Sequence, residues 1–153
     1  MKINKLLWLP ACLVAGTVFA GGQKVVELKI EVKPAHAKVW AEIELNNRSG
    51  KPVKVLHALA TEEEMYGKLF DVRDAGGQPV EYRGIMVKRG PLTEEDFLTL
   101  KPGERRKNRI ELSRAYTFQP GQQYTLAYSG IYKQDGKTMP LTAAPVRFEH
   151  TGR

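Results

Sequence analysis

Val26-Glu27-Leu28-Lys29-Ile30-Glu31-Val32-Lys33 decides the fold of this chain. Apolar and charged residues alternate one by one across it. A strand turns successive side chains to opposite faces, so this stretch has one dry face and one wet face. Val39, Ala41, Ile43 and Leu45 repeat the pattern against Trp40, Glu42 and Glu44. Asn46-Asn47-Arg48-Ser49-Gly50-Lys51-Pro52 then reads as a turn cluster.

Working outward, the same kind of reading predicts strand at Val53–Val55, with His57 as a possible extension, and at Leu69-Phe70-Asp71-Val72. Asp74-Ala75-Gly76-Gly77 turns the chain into a predicted strand at Val80-Glu81-Tyr82. Further strands are predicted at Phe97–Leu100, Asn108–Leu112, Tyr124–Tyr128, and around Val146 and Phe148. Short strands with turn signals every eight to a dozen residues indicate an all-β fold, an immunoglobulin-like sandwich of two antiparallel sheets. Helix is scarce. Thr61 to Tyr66 is expected to form one turn capped by Thr61, and Thr93 to Asp96 another.

The chain has 153 residues and a formal net charge of +7. Residues 1–20 read as a secretory signal: Lys2 and Lys5 precede an apolar run from Leu6 to Ala15, and Val18-Phe19-Ala20 offers a cleavage site. The run is too short to span a bilayer, which takes roughly 20 residues. Leu9-Pro10-Ala11-Cys12 offers a rival lipoprotein box. It is ranked lower because Pro10 sits awkwardly in it and the apolar core shrinks to Leu6–Ala11. Removal of the signal is expected to leave residues 21–153 as one domain with no transmembrane segment and, since Cys12 is the one cysteine, no thiol or disulfide. The expected location is periplasmic or secreted. The mild basic excess, interspersed with acids, fits ordinary solubility.

No arrangement in the sequence carries recognisable catalysis. His36, His57 and His150 lack metal-ligand spacing, so no metal or other cofactor is expected. Ser49, Ser113 and Ser129 lie in no nucleophile elbow. Glu62-Glu63-Glu64 and Glu94-Glu95-Asp96 read as solvated turns rather than catalytic carboxylate pairs. Arg105-Arg106-Lys107 with Arg109 would alternate between sheet faces. That reading, with an exported location, argues against nucleic acid. Asn47-Arg48-Ser49 fits the glycosylation pattern but reads as a turn. Among the aromatics, Trp40 alone falls clearly on the wet face of its strand.

The most particular stretch is Glu81 to Glu104: a strand end, a basic kink at Met86-Val87-Lys88-Arg89 before Pro91, an acidic turn at Glu95-Asp96, and a strand closed by Lys101-Pro102-Gly103-Glu104. Together with Ile43–Gly50, Pro52–Leu56, Leu69–Val72, Gly77–Gly84, Leu112–Tyr116 and Pro120-Gly121 before Tyr124–Tyr128, this ordered set resembles the N-terminal pro-domain of bacterial M35-type (deuterolysin or peptidyl-lysine) metalloendopeptidases. The resemblance implies an immunoglobulin-like sandwich that packs on a zinc protease and keeps it latent. The family's His-Glu-x-x-His zinc helix is absent from the sequence, so it implies a non-enzymatic binding role. The sequence around residues 57–66 also departs from the family pattern.

The expected function is therefore an inhibitor or chaperone of a secreted metalloendopeptidase acting in trans, monomeric when free. The alternative is a non-enzymatic envelope module that binds a glycan, a lipid surface or an assembly subunit. Two loops are candidates for contact: Arg83 to Pro91, with Arg83, Lys88 and Arg89, and the hairpin tip Tyr132 to Thr138, with Lys133, Asp135 and Lys137. Lys133 or Lys137 could mimic a lysine substrate. Against this, Lys88 and Arg89 could simply pair with Glu94, Glu95 or Asp96 to hold the kink.

Overall fold

A computed structural model describes residues 24–152. The signal reading, the cleavage site and Cys12 lie outside the described residues. The strands are β1 (Val26–Ala35), β2 (Lys38–Asn47), β3 (Val53–Leu56), β4 (Asp71–Asp74), β5 (Phe97–Leu100), β6 (Arg105–Glu111), β7 (Gln123–Gln134) and β8 (Lys137–Glu149). One helical turn, α1 (His57–Ala60), follows β3, and 3₁₀ turns occupy Glu94–Asp96 and Leu112–Arg114.

These strands build two antiparallel sheets. The three-stranded sheet has the order β1-β2-β6. In the five-stranded sheet β7 is the spine. It pairs with β8 along one flank; along the other it pairs first with β4 and then with β3, which carries β5. The mostly antiparallel β architecture agrees with the sequence reading.

The β1–β2 hairpin keeps one register from Val26 opposite Asn47 to Ala35 opposite Lys38. His36 sits in its two-residue turn with φ of 58°. Val26, Leu28 and Ile30 of β1 and Val39, Ala41, Ile43 and Leu45 of β2 are buried. They share one apolar core with Val53, Val55, Val72, Leu100, Leu126 and Tyr128 of the other sheet. The wet face carries a ladder of charge in which Lys29 and Lys33 meet Glu31 and Glu42, and Glu44 meets Arg105 and Lys107.

Three expectations are corrected. The helical turn comes earlier than Thr61–Tyr66: His57 leaves β3 and opens α1, and Thr61 caps the far end, its N–H and hydroxyl both donating to the His57 carbonyl. The apolar pair Leu59 and Ala60, 0% and 2% exposed, decides this, because only an earlier turn buries them. The acidic residues that follow instead lace over β6. Asn108 Nδ2 donates to the Leu59 and Glu62 carbonyls, and the Glu111 N–H to that of Glu63.

Val80–Tyr82 forms no strand. Pro79 has no N–H to continue the ladder, so pairing there stops at the Arg73–Pro79 bridge and one bond from the Val80 N–H to the Val72 carbonyl. Third, β8 is far longer than its predicted end at Val146 and Phe148. It is an edge strand, and Pro140 and Pro145 can lie in it because their missing N–H groups are not needed on the outer side.

Asn47 is fully buried, with Nδ2 donating to the carbonyls of Lys51, Leu100 and Lys101. It is therefore a structural joint at the end of β2, and the turn read at Asn46–Pro52 begins only after it, at Arg48.

Candidate functional site

The Arg83–Pro91 loop begins where the chain leaves the core. Tyr82 packs edge-on against Tyr116, with ring centroids 5.6 Å apart, and Tyr116 in turn donates to the Phe70 carbonyl at 2.7 Å. Burial raises the Tyr82 phenol above its ordinary pKa, so it stays a donor. Its hydroxyl lies 2.8 Å from the Ile85 carbonyl and 3.2 Å from that of Met65. The Arg83 N–H donates to the Ala115 carbonyl at 2.7 Å. Gly84 is required by space: a Cβ there would lie 2.6 Å from the Tyr82 hydroxyl and 2.8 Å from the Ala115 Cβ.

Beyond this anchorage the loop stands in solvent. Its centre is held by a long bond from the Val87 N–H to the Tyr66 carbonyl (3.4 Å), and its far end by Arg89, 3.6 Å from Asp96. Asp96 belongs to the Glu94–Asp96 turn, where it accepts from the Thr93 N–H at 2.7 Å as Thr93 caps the turn. Its carboxyl lies below the usual range, through the Thr93 backbone bond first and with Arg89 assisting.

What the loop displays is apolar. Met86 is 72% exposed, and Ile85, Val87 and Leu92 are each close to half exposed. Tyr66 stands exposed beside them. Beneath lies a cleft of about 290 Å³ lined by Leu56, His57, Tyr66, Leu69, Arg89 and Leu92, among others. Exposed large side chains are ordinary when scattered. A run on one restrained loop is a candidate contact surface.

The charged residues singled out from the sequence fare differently. Arg83 pairs with its neighbour Glu81 at 3.0 Å, both exposed. Arg89 pairs with Asp96, as the structural reading of the kink held, whereas Lys88 makes no ion pair among the described residues. Lys133 is committed inward. Its ammonium lies 2.7 Å from Glu94 and 4.3 Å from the centre of the Phe97 ring. Lys54 reaches the other Glu94 oxygen at 2.6 Å. Hydrogen bonds from Lys133 and Lys54, reinforced by their charges, bring the Glu94 carboxyl down to about 2. Asp135 is held by Lys51 at 2.8 Å in the left-handed turn that it forms with Gly136, at φ of 51° and 72°. Lys137 opens β8 opposite Gln134 and is exposed.

The Glu94–Asp96 turn thus gathers Arg89 and Lys133, one residue from each candidate loop, while Lys51 joins the hairpin tip to the turn after β2. Lys133 is thus paired with Glu94, whereas Lys137 is exposed. The sequence reading took Met86 and Val87 only as part of the kink and singled out none of Ile85, Met86, Val87 and Leu92 for contact. The signal for the first three was an apolar run without alternation between Gly84 and Gly90-Pro91; Leu92, just past Pro91, had none.

A surface hollow of about 630 Å³ lies over the wet face of the three-stranded sheet and is lined largely by the paired charges described above. Trp40 is not open there: the Arg109 guanidinium lies 3.7 Å from its ring centre. Among the described residues, no group of three or more His, Cys, Asp or Glu side chains could hold a metal ion. No helix among them is long and apolar enough to cross a membrane.

No family model matches the sequence. It is 30% identical over 129 residues to an extracellular protease of Aeromonas hydrophila, a match that takes in 84% of this chain and 36% of that protein. The chain therefore spans little more than a third of the curated relative's length. A solved structure titled Northeast Structural Genomics Consortium target SoR45 superposes with a TM-score of 0.47 at 15% identity, covering 83% of this chain and 86% of the other.

Proposed function

We propose that the protein is an exported, non-catalytic binding domain of immunoglobulin-like build. It docks on a secreted zinc metalloendopeptidase through the Arg83–Leu92 loop and holds that enzyme inactive or assists its folding. The observation that carries the reading is the apolar run at Ile85, Met86, Val87 and Leu92, displayed on a loop tied at both ends. A loop restrained before it binds loses little freedom on binding, so more of its contact energy appears as affinity. The similarity to part of an extracellular protease supports a protease as the partner and an extracytoplasmic location. The antiparallel two-sheet architecture supports the immunoglobulin-like part of the reading.

The test is direct. The purified domain is titrated into an extracellular metalloendopeptidase of the same organism while peptide hydrolysis is followed. The rate falls with increasing domain, and the two proteins co-elute on gel filtration. An unchanged rate with the domain in large excess, and no complex, would overturn the proposal.

A further inference from the structure

We propose that the end of the molecule where β2, β5 and β7 turn is a docking surface for an anionic lipid bilayer, and that it seats the protein with the upstream foot of the Arg83–Leu92 loop turned away from the membrane. The inference does not rest on the function proposed above. Three turns are laced together at this end. Asn47 Nδ2 joins the turn after β2 to the β5–β6 turn through the Lys51 and Lys101 carbonyls. Lys51 joins it to the β7–β8 tip at Asp135 (2.8 Å), as does the bond from Gln134 Nε2 to Ser49 Oγ (3.1 Å). The strand β1 starts beside them, with the Arg48 N–H donating to the Val25 carbonyl at 2.9 Å.

Read along the chain, cations and acids look interspersed; folding sorts them. Lys24, Arg48, Lys51, Lys101, Arg105 and Lys137 all stand exposed at this end. The acids set among them are Glu27, Glu104 and Asp135, and each is already taken: Glu27 by Arg48, Glu104 by Arg106 and Asp135 by Lys51. Arg105 has only Glu44, 3.9 Å away and shared with Lys107. The exposed cations that make no ion pair among the described residues are Lys24, Lys88, Lys101, Arg109, Lys137 and Arg147. Lys24, Lys101 and Lys137 gather here, while the others stand apart. Residues 62–96 carry the opposite bias, nine acids to five cations, and they include the exposed loop. The upstream foot of that loop is bonded to the Ala115 carbonyl, beyond Glu111 where β6 ends, whereas Arg105 begins β6 at the basic end. A negative surface therefore attracts one end and repels the acid-rich segment.

The layout decides what kind of anion fits. A single phosphate or carboxylate calls for donors that converge on one point. These cations stand instead on the tips of separate turns and suit charge spread over a plane. Exposed Pro52, Pro102 and Met139 lie between them, Met139 with 41% of its surface free. The end thus offers apolar groups to the boundary beneath the headgroups while the long lysine and arginine stems keep their charges at headgroup level. Each cation near an anionic leaflet strengthens binding by roughly 5-fold, so removing the unpaired Lys24, Lys101 and Lys137 together weakens it by about 100-fold.

The test mixes the protein, as recovered from expressing cells, with phosphatidylglycerol vesicles and with phosphatidylcholine vesicles at low salt and follows sedimentation, with no metalloendopeptidase present. Binding to the phosphatidylglycerol vesicles alone is expected, and its loss at ~1 M salt, where the screening length is about 3 Å. Lys24→Gln with Lys101→Gln and Lys137→Gln weakens it about 100-fold. Lys88→Gln with Arg109→Gln and Arg147→Gln removes the same net charge from scattered sites and weakens it less than ~10-fold. Unfolding midpoints check that both variants are folded. No binding to phosphatidylglycerol vesicles, equal binding to phosphatidylcholine, or equal loss in the two variants overturns the inference. Binding of poly-L-glutamate to the basic end without binding of vesicles assigns that end to an acidic protein chain and overturns it as well.

Discussion

Replacing Asn47 by Asp changes one atom group and is expected to be among the most damaging substitutions in the chain. Asn47 ends β2 with none of its surface exposed. Its Nδ2 donates to the Lys51 carbonyl at 2.8 Å and to those of Leu100 and Lys101 at 3.1 Å, and its Oδ1 accepts from Ser49 N–H and Oγ at 3.0 and 2.7 Å. The backbone of the same residue bonds Glu104 and Gly103. One side chain therefore joins the end of the three-stranded sheet to the end of β5 in the other.

Asn47→Ala removes two N–H donors and one acceptor, at about 1 kcal/mol each, so roughly 3 kcal/mol is expected. Asn47→Asp keeps the Ser49 contacts but turns a bare carboxylate oxygen toward three carbonyls. The loss is then larger, about 4 kcal/mol at pH 7. It also depends on pH. Burial among acceptors raises the folded-state pKa of the substituted carboxyl above its unfolded value near ~3.9. The folded state then binds more protons than the unfolded one between those two values, so the penalty grows as pH rises through that window and shrinks on acidification. Urea unfolding of the wild type and both variants at pH 7 and pH 5 measures this. An Asn47→Asp protein within ~0.5 kcal/mol of wild type, or a penalty independent of pH relative to Asn47→Ala, would refute the reasoning.

Three further outcomes follow. Met86→Ala should weaken the proposed complex by roughly 10-fold, about 1–2 kcal/mol of lost apolar burial, while the unfolding midpoint of the free domain stays put; a fall in stability would place Met86 in the core instead. Tyr128→Phe should be neutral or stabilising by up to about 1 kcal/mol in thermal unfolding, because the Tyr128 hydroxyl is buried with no hydrogen-bond partner among the described residues and burial has pushed its pKa up to about 12; a marked loss would mean that the hydroxyl has a partner after all. Glu94 should titrate near 2 by NMR, so its pairing with Lys54 and Lys133 is fully present above the ordinary value of 4.5 and is lost as pH falls through about 2; Lys133→Gln should move the titration upward, and an ordinary value in the wild type would remove the clamp.

The β1–β2 hairpin was legible because one face of its sheet meets water, so burial is written as alternation from Val26 to Leu45. The core residues Tyr124, Leu126 and Tyr128 were legible for the same reason. β8 was not. Pro140 and Pro145 argue against a strand unless the strand is known to be an edge, and edge position is a property of the assembled sheet. Likewise α1 could not be placed from the caps: Thr61 fits either end of a turn, and only the burial of Leu59 and Ala60 decides between them. At the candidate site, charge drew attention to Lys88, Arg89 and Lys133, because cations stand out in a sequence. Whether a cation is free or already paired depends on residues far along the chain, as Lys133 and Glu94 show, 39 positions apart.

That pairing bears on what the acidic turn does. In the sequence Glu94-Glu95-Asp96 is a small cluster of carboxylates whose only partners in view are the nearby Lys88 and Arg89. In the fold its members divide the work: Glu94 takes Lys54 from β3 and Lys133 from β7, and Asp96 takes Arg89 and the Thr93 N–H. The downstream foot of the exposed loop is thus referenced to two strands of the five-stranded sheet, and its upstream foot to Tyr82 and the Tyr116 core. Each exposed ion pair contributes little stability alone. Their effect is positional, since loosening either foot widens the set of shapes open to Ile85–Leu92 and so raises the entropy to be lost on binding. It follows that Lys133→Gln, remote from the loop in sequence, should weaken the complex without removing any atom that touches the partner, and should do so mainly by slower productive association, since fewer molecules hold the binding shape, rather than by loss of fold. If Lys133→Gln leaves both affinity and loop amide exchange unchanged, the turn is no more than a solvated helix start and the loop is held by Tyr82 alone.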